Sequence, residues 1–172
     1  MVTLEDNTWA QGSLPDPWWH LEHRELDYTN EPFNDPVSVN HWRRLGYTQT
    51  KFTGDMYDMR RPEPTWVSKF RKIFPLQHFS WSVYRMTPGC VLPEHGDTYA
   101  RFRQIHNLTD QDTIVRIIVF LEDWASGHYL EMNSRPITQW RRGDWVCWSN
   151  RFPHLAANVG QTDRYTLQIT GI

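Results

Sequence analysis

Two cysteines, Cys90 and Cys147, are all the chain has in 172 residues. That is too few for a disulfide framework or a cysteine metal cluster. Both stand in apolar or turn surroundings and read as free thiols of a reducing compartment. No apolar run approaches the roughly 18 residues that a membrane span needs. The opening stretch Met1-Val2-Thr3-Leu4-Glu5-Asp6 has no basic region followed by an apolar one, so no secretory signal is expected and the expected location is the cytoplasm. Charge imbalance is missing too. A net charge of −2 gives no reason to expect nucleic acid or a membrane surface as partner. Internal repeats and low-complexity stretches are also absent from the sequence.

Aromatics are abundant instead, with 10 Trp, 7 Tyr and 8 Phe. They read as the core of a small β protein, or in part as an exposed platform for a ligand. The length predicts one domain over residues 1–172, large enough to bury a core without staples. Residues 1–75 read as an N-terminal segment with short helices that wraps the core formed by residues 76–172.

Along the chain, residues 1–35 carry no sustained period, and their Pro, Asn and Asp clusters predict extended coil and turns. Trp9, Trp18, Trp19 and Phe33 require this segment to lie against the core. His20 and His23 share a helix face, but no third ligand follows nearby, so they read as a solvated pair. Asp35-Pro36 predicts a helix start, with a helix over 37–45 closed by Gly46. Residues 47–64 read as irregular, with a turn at Thr53-Gly54-Asp55. Thr65 is expected to cap a second helix over 66–74, whose Trp66, Phe70, Ile73 and Phe74 recur at helical spacing. The period then changes to two. Phe79, Trp81, Val83 and Arg85 alternate with Ser80, Ser82, Tyr84 and Met86. Pro88-Gly89 turns the chain, and residues 98–112 read as a polar loop. Further strands are expected over 114–121, 128–132, 137–140, 145–148, 155–159 and 164–170. Many short strands with helices only upstream predict a mainly β protein, a sandwich or jelly roll.

The chemistry gathers at Pro93-Glu94-His95-Gly96-Asp97, Pro153-His154 and Arg164-Tyr165-Thr166. His95 and Asp97 point the same way on an extended segment, and Gly96 between them leaves space. His154 arrives from a different strand. Two imidazoles and one carboxylate can hold a divalent iron and leave a face open. Arg164, with Thr166 on the same strand face, can fix the far carboxylate of a dicarboxylic co-substrate. Arg116 interrupts an apolar strand and requires an anionic partner, either a structural Asp or Glu or a carboxylate of co-substrate or substrate. Tyr99, Arg101, Arg103, His106 and Tyr129 are candidates for the substrate side, each also readable as an ordinary loop or strand residue.

These residues resemble the 2-oxoglutarate- and Fe(II)-dependent oxygenases, and within them the aspartyl/asparaginyl β-hydroxylase-like branch. The resemblance covers about residues 84–172. It rests on Pro88-Gly89 ahead of Pro93-x-His95, the Arg116 strand, Trp140-x-x-Gly143-Asp144, Phe152-x-His154, Asn158-x-Gly160 and Arg164-x-x-Leu167. The resemblance implies a double-stranded β-helix of the cupin-like jelly-roll type. It also implies Fe(II), 2-oxoglutarate and O2, with His95, Asp97 and His154 as iron ligands. Arg164 with Thr166 would hold the 2-oxoglutarate C5 carboxylate, and Arg116 a co-substrate or substrate group. The presence of Asp97 departs from members of the branch that lack the carboxylate ligand, and argues against a halogenase. The implied reaction is hydroxylation of an amino acid, a peptidyl side chain or a small polar molecule. Two other readings compete. A cupin-like metalloenzyme without 2-oxoglutarate would pair Arg164 with a protein carboxylate. A non-catalytic jelly-roll binding module would leave His95, Asp97 and His154 far apart.

Overall fold

A computed structural model describes residues 8–15, 21–33, 35–48 and 52–172. Their strands are β1 (Trp9–Ser13), β2 (Thr29–Pro32), β3 (Thr53–Asp58), β4 (Ser80–Met86), β5 (Val91–His95), β6 (Val115–Phe120), β7 (His128–Met132), β8 (Arg135–Ile137), β9 (Asp144–Ser149), β10 (His154–Asn158) and β11 (Arg164–Gly171). The helices are α1 (Pro36–Arg44), α2 (Val67–Ile73) and α3 (Ala100–His106). A seven-stranded sheet runs β1-β9-β6-β11-β4-β3-β2, and a four-stranded sheet runs β5-β10-β7-β8. Neighbouring strands are antiparallel throughout. The protein is a mainly β jelly roll.

The period of two sorts the large sheet into two faces. On its outer face Trp81, Val83, Ile117, Val119, Leu167 and Ile169 meet Trp66, Val67, Phe70 and Phe74 in and around α2. On its inner face Tyr84, Met86, Ile118, Phe120 and Trp148 meet Leu130, Met132 and Ala156 of the small sheet. Arg164 lies opposite Met86, and Thr166 lies opposite Tyr84 on one side and Phe120 on the other. The polar residues of β11 therefore enter the space between the sheets, while its apolar residues pack outward against helix. Asn158 joins the layers, its Nδ2 donating to the Met86 carbonyl at 2.7 Å.

Asp35 caps α1 as expected, accepting from the Val37 and Ser38 amides, and Gly46 closes its end at φ +97°. Other expectations need correction. Residues 1–35 are not coil alone, since β1 pairs with β9 and β2 with β3, supplying both edges of the large sheet. Trp18, Trp19 and His20 lie outside the described residues. His23 is not solvated. It is buried, with Nδ1 3.0 Å from the Leu21 carbonyl and Nε2 2.8 Å from Glu122. Thr53-Gly54-Asp55 opens strand β3 instead of a turn, because glycine is needed where the Tyr84 ring crosses the strand. Thr65 does not cap α2, whose first turn has no side-chain cap. The 98–112 segment contains α3, which buries no residue and so shows no apolar stripe. The expected strand at 137–140 is β8, ending at Ile137. Both cysteines are free. Among the described residues no helix is long and apolar enough to cross a membrane.

Candidate functional site

His95 ends β5 and His154 begins β10, directly opposite each other, and the register of this pair slips immediately afterward. Such irregularities re-aim side chains at sites of function. Asp97 follows two residues beyond His95. One ligand atom from each of His95, Asp97 and His154 lies within 4.8 Å of the others. Each imidazole is fixed from behind. Nδ1 of His95 is 2.8 Å from the Pro93 carbonyl, and Nδ1 of His154 is 2.9 Å from the Phe152 carbonyl. A carbonyl only accepts, so each Nδ1 carries the proton and each Nε2 keeps its lone pair for a cation.

At His154 and Asp97 the electrostatics favour metal-binding protonation states. Burial, with help from the neighbouring His95, pushes His154 down to about 4. Burial pushes the Asp97 carboxyl up, but the charges of Arg116, His154 and His95 outweigh it and bring it to about 2. Near neutral pH His154 is thus a neutral donor and Asp97 a carboxylate. This donor set suits a divalent transition metal.

Aromatic side chains wall the pair of imidazoles. The Phe33 ring stands edge-on to His95 at 4.9 Å, Trp42 of α1 stands at 5.7 Å, and Trp148 lies 4.5 Å from His154. Trp42 is held by its indole N–H, which donates to the Glu94 carbonyl at 2.8 Å. The N-terminal segment therefore buttresses the first histidine.

A second polar cluster lies on β11 and β4. Arg164 is 4% exposed and Thr166 is 1% exposed. Arg164 Nη1 donates to the Tyr129 carbonyl at 2.7 Å, but its Nε, the Thr166 hydroxyl and the Tyr84 hydroxyl are all buried without a hydrogen-bond partner. Burial pushes Arg164 down to about 10, which still leaves it charged near neutral pH. Burial pushes the Tyr84 hydroxyl above its ordinary value, which keeps it a donor. Among the described residues no carboxylate forms an ion pair with Arg164. An unpaired buried guanidinium beside two orphaned hydroxyls is costly unless an anion joins them.

Arg116 faces the site from β6. Its Nε donates to Asp97 Oδ2 at 3.3 Å and its Nη1 to Gln168 Oε1 at 3.3 Å. Its guanidinium carbon sits 5.3 Å from the centre of the Tyr99 ring. Three of the other substrate-side candidates have partners elsewhere. Arg103 bonds the Thr109 and Asp112 carbonyls, and His106 stacks on His78 at 4.3 Å. Tyr129 donates to Glu131 at 2.5 Å. Arg101 is exposed. Sequence reasoning missed Tyr84 and Trp42 as parts of the site. The alternation on β4 had already put Tyr84 on the polar face; Trp42 gave no signal, because its role depends on where α1 docks.

No family model matches the chain, and no curated protein matches it. Among solved structures it is similar to a prolyl-4-hydroxylase from Pseudomonas putida, with TM-score 0.59, 14% identity and coverage of 94% of this chain and 90% of that one. It is also similar to the viral collagen prolyl hydroxylase of Paramecium bursaria Chlorella virus 1, solved as a 2OG complex. There the TM-score is 0.53 and the identity 11%, over 88% of this chain and 100% of that one. At these identities the likeness is one of fold.

Proposed function

We propose that the protein is an iron(II)- and 2-oxoglutarate-dependent oxygenase, hydroxylating an amino acid, a peptidyl side chain or a small polar molecule. The observation that carries this reading is the buried Arg164 with no carboxylate to pair with. In this reading its free Nε and the orphaned hydroxyls of Thr166 and Tyr84 are the donors that a bound carboxylate takes up. The pairing of Arg164 with a protein carboxylate, expected of a cupin-like metalloenzyme without 2-oxoglutarate, is absent among the described residues. The dispersed histidines expected of a binding module are not found.

In this reading His95, Asp97 and His154 hold iron(II), and Arg164, Thr166 and Tyr84 hold the C5 carboxylate of 2-oxoglutarate. Iron with bound 2-oxoglutarate and dioxygen supplies oxidative decarboxylation to succinate and carbon dioxide, coupled to oxidation of the substrate. The protein contributes orientation. The Pro93 and Phe152 carbonyls fix the two imidazole tautomers. Phe33, Trp42 and Trp148 pack against the two imidazoles and hold them in place. The small-sheet backbone at Tyr129 steadies one arm of the Arg164 fork.

The test is anaerobic binding of 2-oxoglutarate to iron-loaded protein, followed by succinate release on admitting air. Arg164→Met should keep metal binding and weaken 2-oxoglutarate binding by a hundredfold or more, given about 1.5–3 kcal/mol for each charge-assisted hydrogen bond lost. Normal iron binding with no affinity for 2-oxoglutarate in the unsubstituted protein would sink the proposal.

A further inference from the structure

Asp97 divides its two oxygens. Oδ1 lies 3.9 Å from His95 Nε2, on the side where the imidazole lone pairs converge. Oδ2 accepts from Arg116 Nε at 3.3 Å. Arg116 is itself anchored, because its Nη1 donates to Gln168 on β11, the neighbouring strand of the same sheet. It stands opposite Thr170, four residues beyond the Thr166–Phe120 pair, so it is not part of the Arg164 cluster. The Asp97 and Arg116 side chains each retain 19% exposure, which leaves the pair at the accessible side of the cluster.

The chain around Asp97 is held under strain. Tyr99 has a left-handed backbone at φ 52°, an expensive conformation for a bulky residue. Its ring lies beneath the Arg116 guanidinium. Strain of this kind persists only where surrounding contacts over-determine it, and here the Arg116 guanidinium packs on the ring.

Resting on the metal site proposed above, we infer that Arg116 is a positioning residue. Clamped by Gln168, it occupies one oxygen of Asp97 so that the carboxylate presents the other to the cation. Arg116 touches neither co-substrate nor substrate in this role. A planar guanidinium with an Nε–H donor and a second anchored arm fixes a carboxylate in a way that the point charge of lysine does not. Partners of metal ligands, when removed, typically cost about 10–100-fold in metal affinity.

Cobalt(II) titrated into the metal-free chain of residues 1–172, followed by visible absorption, reads this directly. Arg116→Lys keeps the charge, so the Coulomb effect on the cation stays nearly constant while the fixed donor is lost. It should weaken cobalt binding by about 10–100-fold. Gln168→Leu, which touches neither Asp97 nor the net charge, should weaken it by a smaller factor. The double variant should bind no more weakly than Arg116→Lys alone, because Gln168 acts through Arg116. Thermal unfolding of the metal-free variants separates loss of fold from loss of positioning. Arg116→Lys binding cobalt within twofold of the unsubstituted chain, or additive losses in the double variant, overturns the inference. If Arg116→Lys does not fold, Gln168→Leu decides alone, and affinity within twofold overturns it. An unsubstituted chain that takes up no cobalt overturns the metal site and the inference together.

Discussion

A Cβ added at Gly96 would stand 2.5 Å from the Arg151 carbonyl oxygen, closer than a carbon and an oxygen can approach. Gly96 separates His95 from Asp97, and Arg151 lies in the turn that leads to His154. The two segments that carry the proposed ligands therefore touch backbone to backbone at this residue. Gly96→Ala should push them apart, weakening cobalt(II) binding at least tenfold while the far-UV circular dichroism is kept; unchanged affinity would show that the contact has slack. At this scale much of the site was legible. His95, Asp97 and His154, which the structure brings together, and the buried Arg164 and Thr166 were candidates from residue type, alternation and the family resemblance. The contact that makes Gly96 necessary was not legible, because it comes from a segment distant in sequence. Tyr84 hid for a related reason, since its hydroxyl matters only once the register sets it opposite Thr166.

At the scale of elements, the 3-10 turn His23–Glu25 is tied to the end of β6 by Glu122. Burial pushes the Glu122 carboxyl up, but hydrogen bonds from His23 and Arg24 outweigh it and hold it at about 2, below the ordinary 4.5. A carboxyl held low when folded stabilises fully above its unfolded value and loses that stabilisation as pH falls through the folded one. The window is therefore between about pH 4.5 and pH 2. Glu122→Gln should lower stability at pH 7 by about 1.5–3 kcal/mol, the worth of a charge-assisted hydrogen bond. It should also flatten the acid limb of stability in that window, measured by urea unfolding at a series of pH values. Elements with a clean period were readable in advance: α2 by its apolar stripe, β4 and β11 by alternation. Those without one were not. Strand β3 opens on Gly54 and looked like a turn, and α3 offers no buried face.

For the whole molecule, the large sheet takes both edge strands from the first 35 residues, β1 on one side and β2 on the other. Because this segment closes both edges of the sheet, we predict that the chain unfolds as one cooperative unit. Tryptophan fluorescence and far-UV circular dichroism should follow a single coincident unfolding transition; two separated transitions would divide the chain. The middle position in that sheet belongs to β11, the strand latest in sequence, with β6 and β4 against its flanks. The halves β1-β9-β6 and β4-β3-β2 join only through β11, so completing the sheet must bring distant segments together, a topology that folds slowly. Arg164 and Thr166 travel on that same strand. In a refolding experiment, the 2-oxoglutarate binding proposed above should emerge with the slowest phase, after most of the secondary structure has formed.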